Sequence, residues 1–211
     1  TRARSHAGAL GPWQFMGPTA QRFKLRFDKA VDERLKFGAA TDAALTYLTK
    51  LHQMFHDWPL ALAAYNAGEG RVRKAIAVQG VHNFYHLSLP EETERYVFKV
   101  LAAKIIVEDP ARYGFDIPSD QLYPPQTYDE VQITLARPVP IRTLAEACGT
   151  YYKAFKTLNP WIKGDSLCAG TFRLKIPQGS TPRFQAAMRQ LERASLSGRG
   201  SNVKSKAGAK K

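Results

Sequence analysis

Apolar residues recur at helical spacing through the first half of the chain. Ala44, Leu48, Leu51 and Phe55 step by four, three and four, which puts them on one stripe of a helix over residues 39–55. Asp57 is placed to cap the next helix, with Pro59 tolerated in its first turn. The run LALAAY that follows is apolar all round, as suits a helix at the centre of a domain. A third helix is expected over residues 90–108, because Glu91 and Glu92 suit the positive end of its dipole and YVFKVLAAKIIV continues it. Shorter helices are expected at 19–23 and 70–78. The first half therefore reads as an all-α domain with glycine-rich loops.

The pattern changes at SDQLYPPQT, residues 119–127, where paired prolines and polar residues read as a linker. Beyond it, Val131, Ile133 and Leu135 alternate with polar residues, the signature of a half-buried strand over 129–135. Residues 141–148 and 152–158 each fit two turns of helix, and FRLKIP at 172–177 alternates again as a closing strand. A short amphipathic helix follows at 182–194. The predicted division is a helical domain at 1–118, a linker at 119–127, a strand-helix-helix-strand module at 128–178, a helix at 179–196 and a disordered basic tail at 197–211.

Composition narrows the classes. The chain has 211 residues, of which 44% are hydrophobic and 11% aromatic, enough for a packed core and too many for a disordered or collagen-like chain. Its longest uninterrupted apolar stretch is WPLALAAY at 58–65, far short of the ~20 residues that span a bilayer. Residue 1 is Thr rather than Met, and nothing near it reads as a basic segment, apolar core and small-residue cleavage site, so the chain reads as a processed or trimmed piece. With 31 Lys and Arg against 18 Asp and Glu the formal charge is +13. Arg199, Lys204, Lys206, Lys210 and Lys211 put five of those charges in the tail, and Arg2, Arg4, Arg22, Lys24 and Arg26 read as a solvated face. Nucleic-acid binding would need basic residues interleaved with aromatics on one face, and they are not so arranged.

Three segments carry chemistry. SHAGALGPWQFM at 5–16 combines small residues, which let a ligand approach the backbone, with one amide, Gln14, among apolar neighbours. AYNAGEGRV at 64–72 puts a phenol, Tyr65, and an amide, Asn66, at the end of the central helix, followed by glycines. LPEETERYV at 89–97 places Glu92 and Tyr96 four apart on one helix face. Each residue also has an ordinary structural use, as a cap, a core phenol or a first-turn acid; their joint occurrence favours a site.

In this order and spacing, together with DER at 32–34, these segments resemble the soluble-lytic-transglycosylase family of lysozyme-like proteins, and within it the membrane-bound murein transglycosylases of type D. The resemblance extends from Thr1 to about Tyr113. It implies cleavage of the β-1,4 bond between N-acetylmuramic acid and N-acetylglucosamine in peptidoglycan without water, leaving a 1,6-anhydromuramoyl end. Such a reaction needs one carboxylic acid, which protonates the leaving oxygen and then accepts the proton of the sugar's own 6-hydroxyl. No second carboxylate is required. The implied substrate-binding residues are Ser5, Gln14, Tyr65, Asn66, Glu92 and Tyr96, with Ser5 holding the acid by a hydrogen bond. The acid itself has no match. The family's segment Glu-Ser-x-Phe-x-Pro-x-Ala-x-Ser aligns its last two fixed positions with Ala3 and Ser5, which puts the glutamate about five residues before Thr1. Glu69 and Glu92 do not match its position.

Residues 127–178 resemble a divergent LysM module, through LAEACG, LNP at 158–160 and AGTFRLKIP, although the usual glycine-aspartate-threonine opening is replaced by ARPVPIRTLAEA. That resemblance implies glycan binding; packing on the first domain is the alternative. Cys148 and Cys168 are too few for a zinc site, and a disulfide between them stays open. His52/His56 and His82/His86 lack acidic partners or an HExxH pattern, so no metal is expected. The expected fold is mainly α, a lysozyme-like helical domain followed by a small α+β LysM-like module. The expected function is a monomeric peptidoglycan lytic transglycosylase of the periplasm or cell envelope, without cofactor, acting on glycan strands. A catalytically inactive peptidoglycan-binding protein and a goose-type hydrolytic lysozyme are the alternatives.

Overall fold

The structure is a computed structural model that describes residues 2–200, with side chains through Arg193. The chain divides into two compact units that do not follow chain order. The helical unit consists of Phe15–Leu25 and Gly38–Pro124. The module unit gathers, over their described residues, Thr1–Gln14, Arg26–Phe37 and Pro125–Lys211.

Five α-helices fall in or lead into the helical unit: α1 (Gly17–Arg22), α2 (Phe37–Phe55), α3 (Trp58–Ala67), α4 (Glu69–Gln79) and α5 (Glu91–Glu108). The sequence signals have direct counterparts. Ala44, Leu51 and Phe55 on the α2 stripe are buried, and Leu48 is half-buried. Asp57 caps α3, its carboxylate accepting the Leu60 N–H at 2.7 Å, with Pro59 inside the first turn. Leu60, Ala61, Ala63 and Ala64 are fully buried, so α3 is the central helix that its all-round apolar content implies. Its small alanines let neighbouring helices approach closely. In α5 only Thr93 and Val97 are buried, while Phe98, Ile105 and Val107 are exposed.

The module unit is built on β1 (Asp129–Leu135) and β4 (Gly170–Ile176), antiparallel and in register from Asp129↔Ile176 to Leu135↔Gly170. Their inward residues alternate as expected, with Val131, Ile133, Leu135, Phe172, Leu174 and Ile176 buried. Between the strands lie α6 (Ile141–Ala147) and α7 (Tyr152–Leu158), and two short strands, β2 (Val139–Pro140) and β3 (Ser166–Leu167), pair with each other. The long helix α8 (Thr181–Gly200) packs Phe184 and Met188 into the same core. It continues four residues past the expected end at 196, and the rest of the expected tail lies outside the described residues.

Asn159 joins the layers of this module. It is fully buried at the end of α7; its amide nitrogen donates to Phe155 O at 3.1 Å and Lys175 O at 2.7 Å, and its amide oxygen accepts Lys175 N–H at 2.9 Å. The LNP motif thus fixes a helix end to β4. Cys148 and Cys168 form no disulfide. Cys148 is buried, donates to Leu144 O at 3.1 Å, and burial pushes its thiol up to about 12.

The segment Arg26–Phe37 joins the module through backbone bonds: Asp32 N–H donates to Trp161 O at 2.8 Å and Lys163 N–H to Ala30 O at 2.8 Å, around a Val31–Ile162 bridge. Val31 enters the module core. A largely α-helical region followed by a strand-helix-helix-strand module matches a lysozyme-like core with a LysM-like extension. Among the described residues, no helix is long and apolar enough to cross a membrane.

Candidate functional site

Ser5 and Gln14 belong to the module unit, where residues 3–14 form a tight loop. The Ser5 hydroxyl accepts the Ala9 N–H at 3.0 Å, while Ser5 N–H donates to Ala9 O at 3.0 Å. Accepting that bond leaves the hydroxyl proton available to a ligand or a carboxylate. Gln14 is exposed, takes the left-handed conformation at φ 51°, and its amide nitrogen donates to Ala3 O at 3.1 Å and Gly11 O at 2.7 Å. Much of its hydrogen-bonding capacity therefore holds the loop itself.

DER at 32–34 is the clamp on that loop. Asp32 and Arg34 make a bidentate pair, Nε to Oδ1 at 2.9 Å and Nη2 to Oδ2 at 2.8 Å, with both side chains nearly buried. Arg34 also donates to Gly8 O at 3.2 Å. Gly11 has φ +84°, and a Cβ there would lie 2.1 Å from Arg34 O. Only glycine fits where the loop crosses the Arg34 backbone.

Tyr65, Asn66, Glu92 and Tyr96 belong to the helical unit. Tyr65 ends α3 half-buried, packs edge-on to Phe15 at 6.4 Å and lies 5.3 Å from the Tyr47 ring. Burial raises the pKa of its phenol, and the neighbouring Tyr96 raises it further; Tyr96 is itself raised by burial. The two phenols are thus brought together and stay neutral. Asn66 and Glu92 are exposed. Since α3 ends at Ala67 and α4 begins at Glu69, Gly68 makes the turn at φ 88° that leaves the Tyr65–Asn66 edge open.

Glu69, the one carboxylate within the AYNAGEG loop, is tied down. Arg22 donates to it at 2.5 Å and the Tyr47 hydroxyl at 2.8 Å. The Arg22 bond, outweighing the opposing effect of burial, lowers its pKa to about 2. At neutral pH it is a carboxylate without a proton to give, so it does not suit the role of general acid. Arg22 and Tyr47 were not singled out in the sequence. Arg22 read as part of a solvated basic face, and nothing local marks a phenol 22 positions before its partner. Among the described residues no three His, Cys, Asp or Glu side chains converge as metal ligands would.

The loop of residues 3–14, the clamp at 32–34 and the α3–α4 corner all fall inside one recognised region: residues 1–87 match the Transglycosylase SLT domain family. Among individual proteins, membrane-bound lytic murein transglycosylase D of Escherichia coli strain K12 is 33% identical over 200 residues, covering 92% of this chain and 43% of that protein. Its counterpart in Escherichia coli O6:H1 aligns equally well. A putative tributyltin chloride resistance protein of an Alteromonas species is 42% identical over 76 residues, covering 36% of this chain and 37% of that protein. The chain spans less than half the length of these relatives.

Proposed function

We propose that this chain is part of a peptidoglycan lytic transglycosylase of the periplasm or cell envelope. It cleaves the β-1,4 bond between N-acetylmuramic acid and N-acetylglucosamine and leaves a 1,6-anhydro end. The observation that carries this reading is the match of residues 1–87 to the transglycosylase domain family, over the stretch that holds the Ser5 loop, the Asp32–Arg34 clamp and the Tyr65–Asn66 corner. Tyr65 and Tyr96 are neutral donors suited to the acetamido and hydroxyl groups of the sugars. Gln14, Asn66 and Glu92 supply further polar contacts, and Ser5 holds the acid. The acid is assigned to a glutamate ahead of Ser5, as the resemblance to the family implies. Glu69 is unsuited to it because its pairing with Arg22 keeps it ionised.

No nucleophile or activated water is needed, because the 6-hydroxyl of the muramoyl residue closes the ring. A poorly charged sugar site keeps the acid's pKa raised, so that it arrives protonated. The LysM-like module adds glycan affinity, and the chain works as a monomer on glycan strands without a cofactor.

The product is the test. The chain, joined to the segment carrying the family's Glu-Ser pair, is incubated with purified peptidoglycan, and the soluble fragments are resolved by mass spectrometry. Anhydro ends support the proposal. Reducing ends assign a hydrolytic lysozyme instead, and retention on the wall without turnover assigns a binding protein.

A further inference from the structure

A cavity of about 260 Å³ opens within the module unit, where the Arg26–Phe37 segment meets the sheet. Its floor is aromatic. Trp161 and Phe172 are nearly buried, with ring centroids 5.9 Å apart and planes inclined by 28°. Its rim is basic: the Arg26 guanidinium lies 5.9 Å from the Phe172 centroid, Lys36 Nζ lies 5.2 Å from the Trp161 centroid, and Arg173 projects from the solvent-facing side of β4. Gln132, paired in register with Arg173, adds an amide.

The charges are not balanced internally. Arg26 pairs with Asp28 at 2.9 Å, and Glu33, the one acid lining the cavity, accepts the Arg26 N–H at 2.9 Å. Among the described residues neither Lys36 nor Arg173 forms an ion pair with a carboxylate. Gathering like charges at one concave site is unfavourable until an anion enters it. A guanidinium and an ammonium beside an amide are the donor set for a carboxylate, and the aromatic floor beneath suits a small apolar substituent. The volume is just below that of pockets for drug-sized ligands, so the cavity takes one terminal residue and not a polymer strand.

We propose that this cavity binds the terminal carboxylate of a short peptide, with Lys36 and Arg173 holding the carboxylate. The proposal rests on the peptidoglycan reading above, since the peptide stems of the cell wall present such termini. It adds a peptide-reading site on the module, separate from the residues assigned to the sugar.

Nitrogen-15 NMR titration of the full chain tests it with four probes: N-acetyl-D-alanyl-D-alanine, its C-terminal amide, glucuronate, and neutral chitotetraose. The acetylated dipeptide is expected to shift the Trp161 indole and the Gln132 and Arg173 amides saturably. The amide should bind about tenfold more weakly or worse, since one charge-assisted pair is lost. Lys36→Gln and Arg173→Gln should each weaken the dipeptide by a similar factor, with the remaining amide spectrum unchanged as proof of folding. Equal responses to acid and amide, or dipeptide binding unaltered in both variants, would overturn the proposal. Glucuronate binding as tightly as the dipeptide would also overturn it, by making the site one for acidic sugars. Chitotetraose shifts in the helical unit without any dipeptide response would defeat this inference and leave the transglycosylase reading standing. Dipeptide binding without a chitotetraose response would do the reverse.

Discussion

Replacing Asn159 by leucine isolates what the LNP motif contributes. The two side chains are close in volume, so Asn159→Leu removes hydrogen bonds with little change in packing. Three bonds disappear, to Phe155 O, Lys175 O and Lys175 N–H, at a residue with no solvent exposure. Each bond contributes about 1 kcal/mol net, but a buried backbone group left unpaired costs roughly 1–3 kcal/mol. The Lys175 N–H and C=O both lose their Asn159 partner, so the module should be destabilised by about 3–5 kcal/mol. Native-state hydrogen exchange on the full chain reads this locally. The Lys175 amide and the β1–β4 ladder should lose protection by a factor of a few hundred or more, while α3 amides in the helical unit stay as they were. Asn159→Asp keeps an acceptor for Lys175 N–H but turns a buried carboxylate oxygen toward Phe155 O and Lys175 O, and should be tolerated no better than leucine. A loss under about 1 kcal/mol in Asn159→Leu would refute the claim that this amide joins α7 to β4.

Further predictions concern the candidate site. Gly11→Ala forces a Cβ to 2.1 Å from Arg34 O at a left-handed φ, so the Ser5–Gln14 loop should be displaced; amide shifts confined to residues 3–14 and 32–36 would report it, and an unchanged spectrum would contradict the clamp. Asp32→Ala leaves the nearly buried Arg34 guanidinium without its carboxylate and should cost about 3–5 kcal/mol, whereas Glu91→Ala, in an exposed pair with Arg95, should cost under about 1 kcal/mol; urea unfolding compares them. Glu69 has its folded pKa lowered from the ordinary 4.5 to about 2, so its stabilising contribution is complete above about pH 4.5 and is lost as pH falls through about 2. Thermal unfolding of Glu69→Gln should accordingly depend less on pH than that of the parent chain across this window.

The fold was legible wherever a side-chain period marks it. The α2 stripe, the Asp57–Pro59 start of α3 and the strict alternation of β1 and β4 each leave a local pattern, and each has its counterpart in the structure. Burial was less legible: the apolar run of α5 forms the expected helix, yet Phe98, Ile105 and Val107 are exposed. Strands β2 and β3 are two residues long and too short to show a period. The union of Arg26–Phe37 with the rest of the module rests on backbone bonds to Trp161 and Lys163 across about 130 positions, and backbone bonds leave no mark in side-chain identity.

For the candidate site, the segments stood out through glycines and amides among apolar neighbours, and their grouping came from the family resemblance. What holds them was not legible. The Asp32–Arg34 pair is local, but its hold on Gly8 and Gly11 and the Arg22–Glu69–Tyr47 cluster depend on contacts between residues far apart in sequence, and an acidic residue in a glycine loop looks the same whether paired or poised to donate a proton.

The central claim is that this chain supplies the sugar-binding side of a lytic transglycosylase and that none of its own carboxylates is the general acid. It is tested most directly by digesting purified sacculi with the 211-residue chain and analysing both pellet and supernatant. The account predicts chain bound to the sacculi and no 1,6-anhydromuropeptides in solution. Release of anhydromuropeptides that is abolished by Glu69→Gln or Glu92→Gln would contradict it, because it would place the acid among these residues.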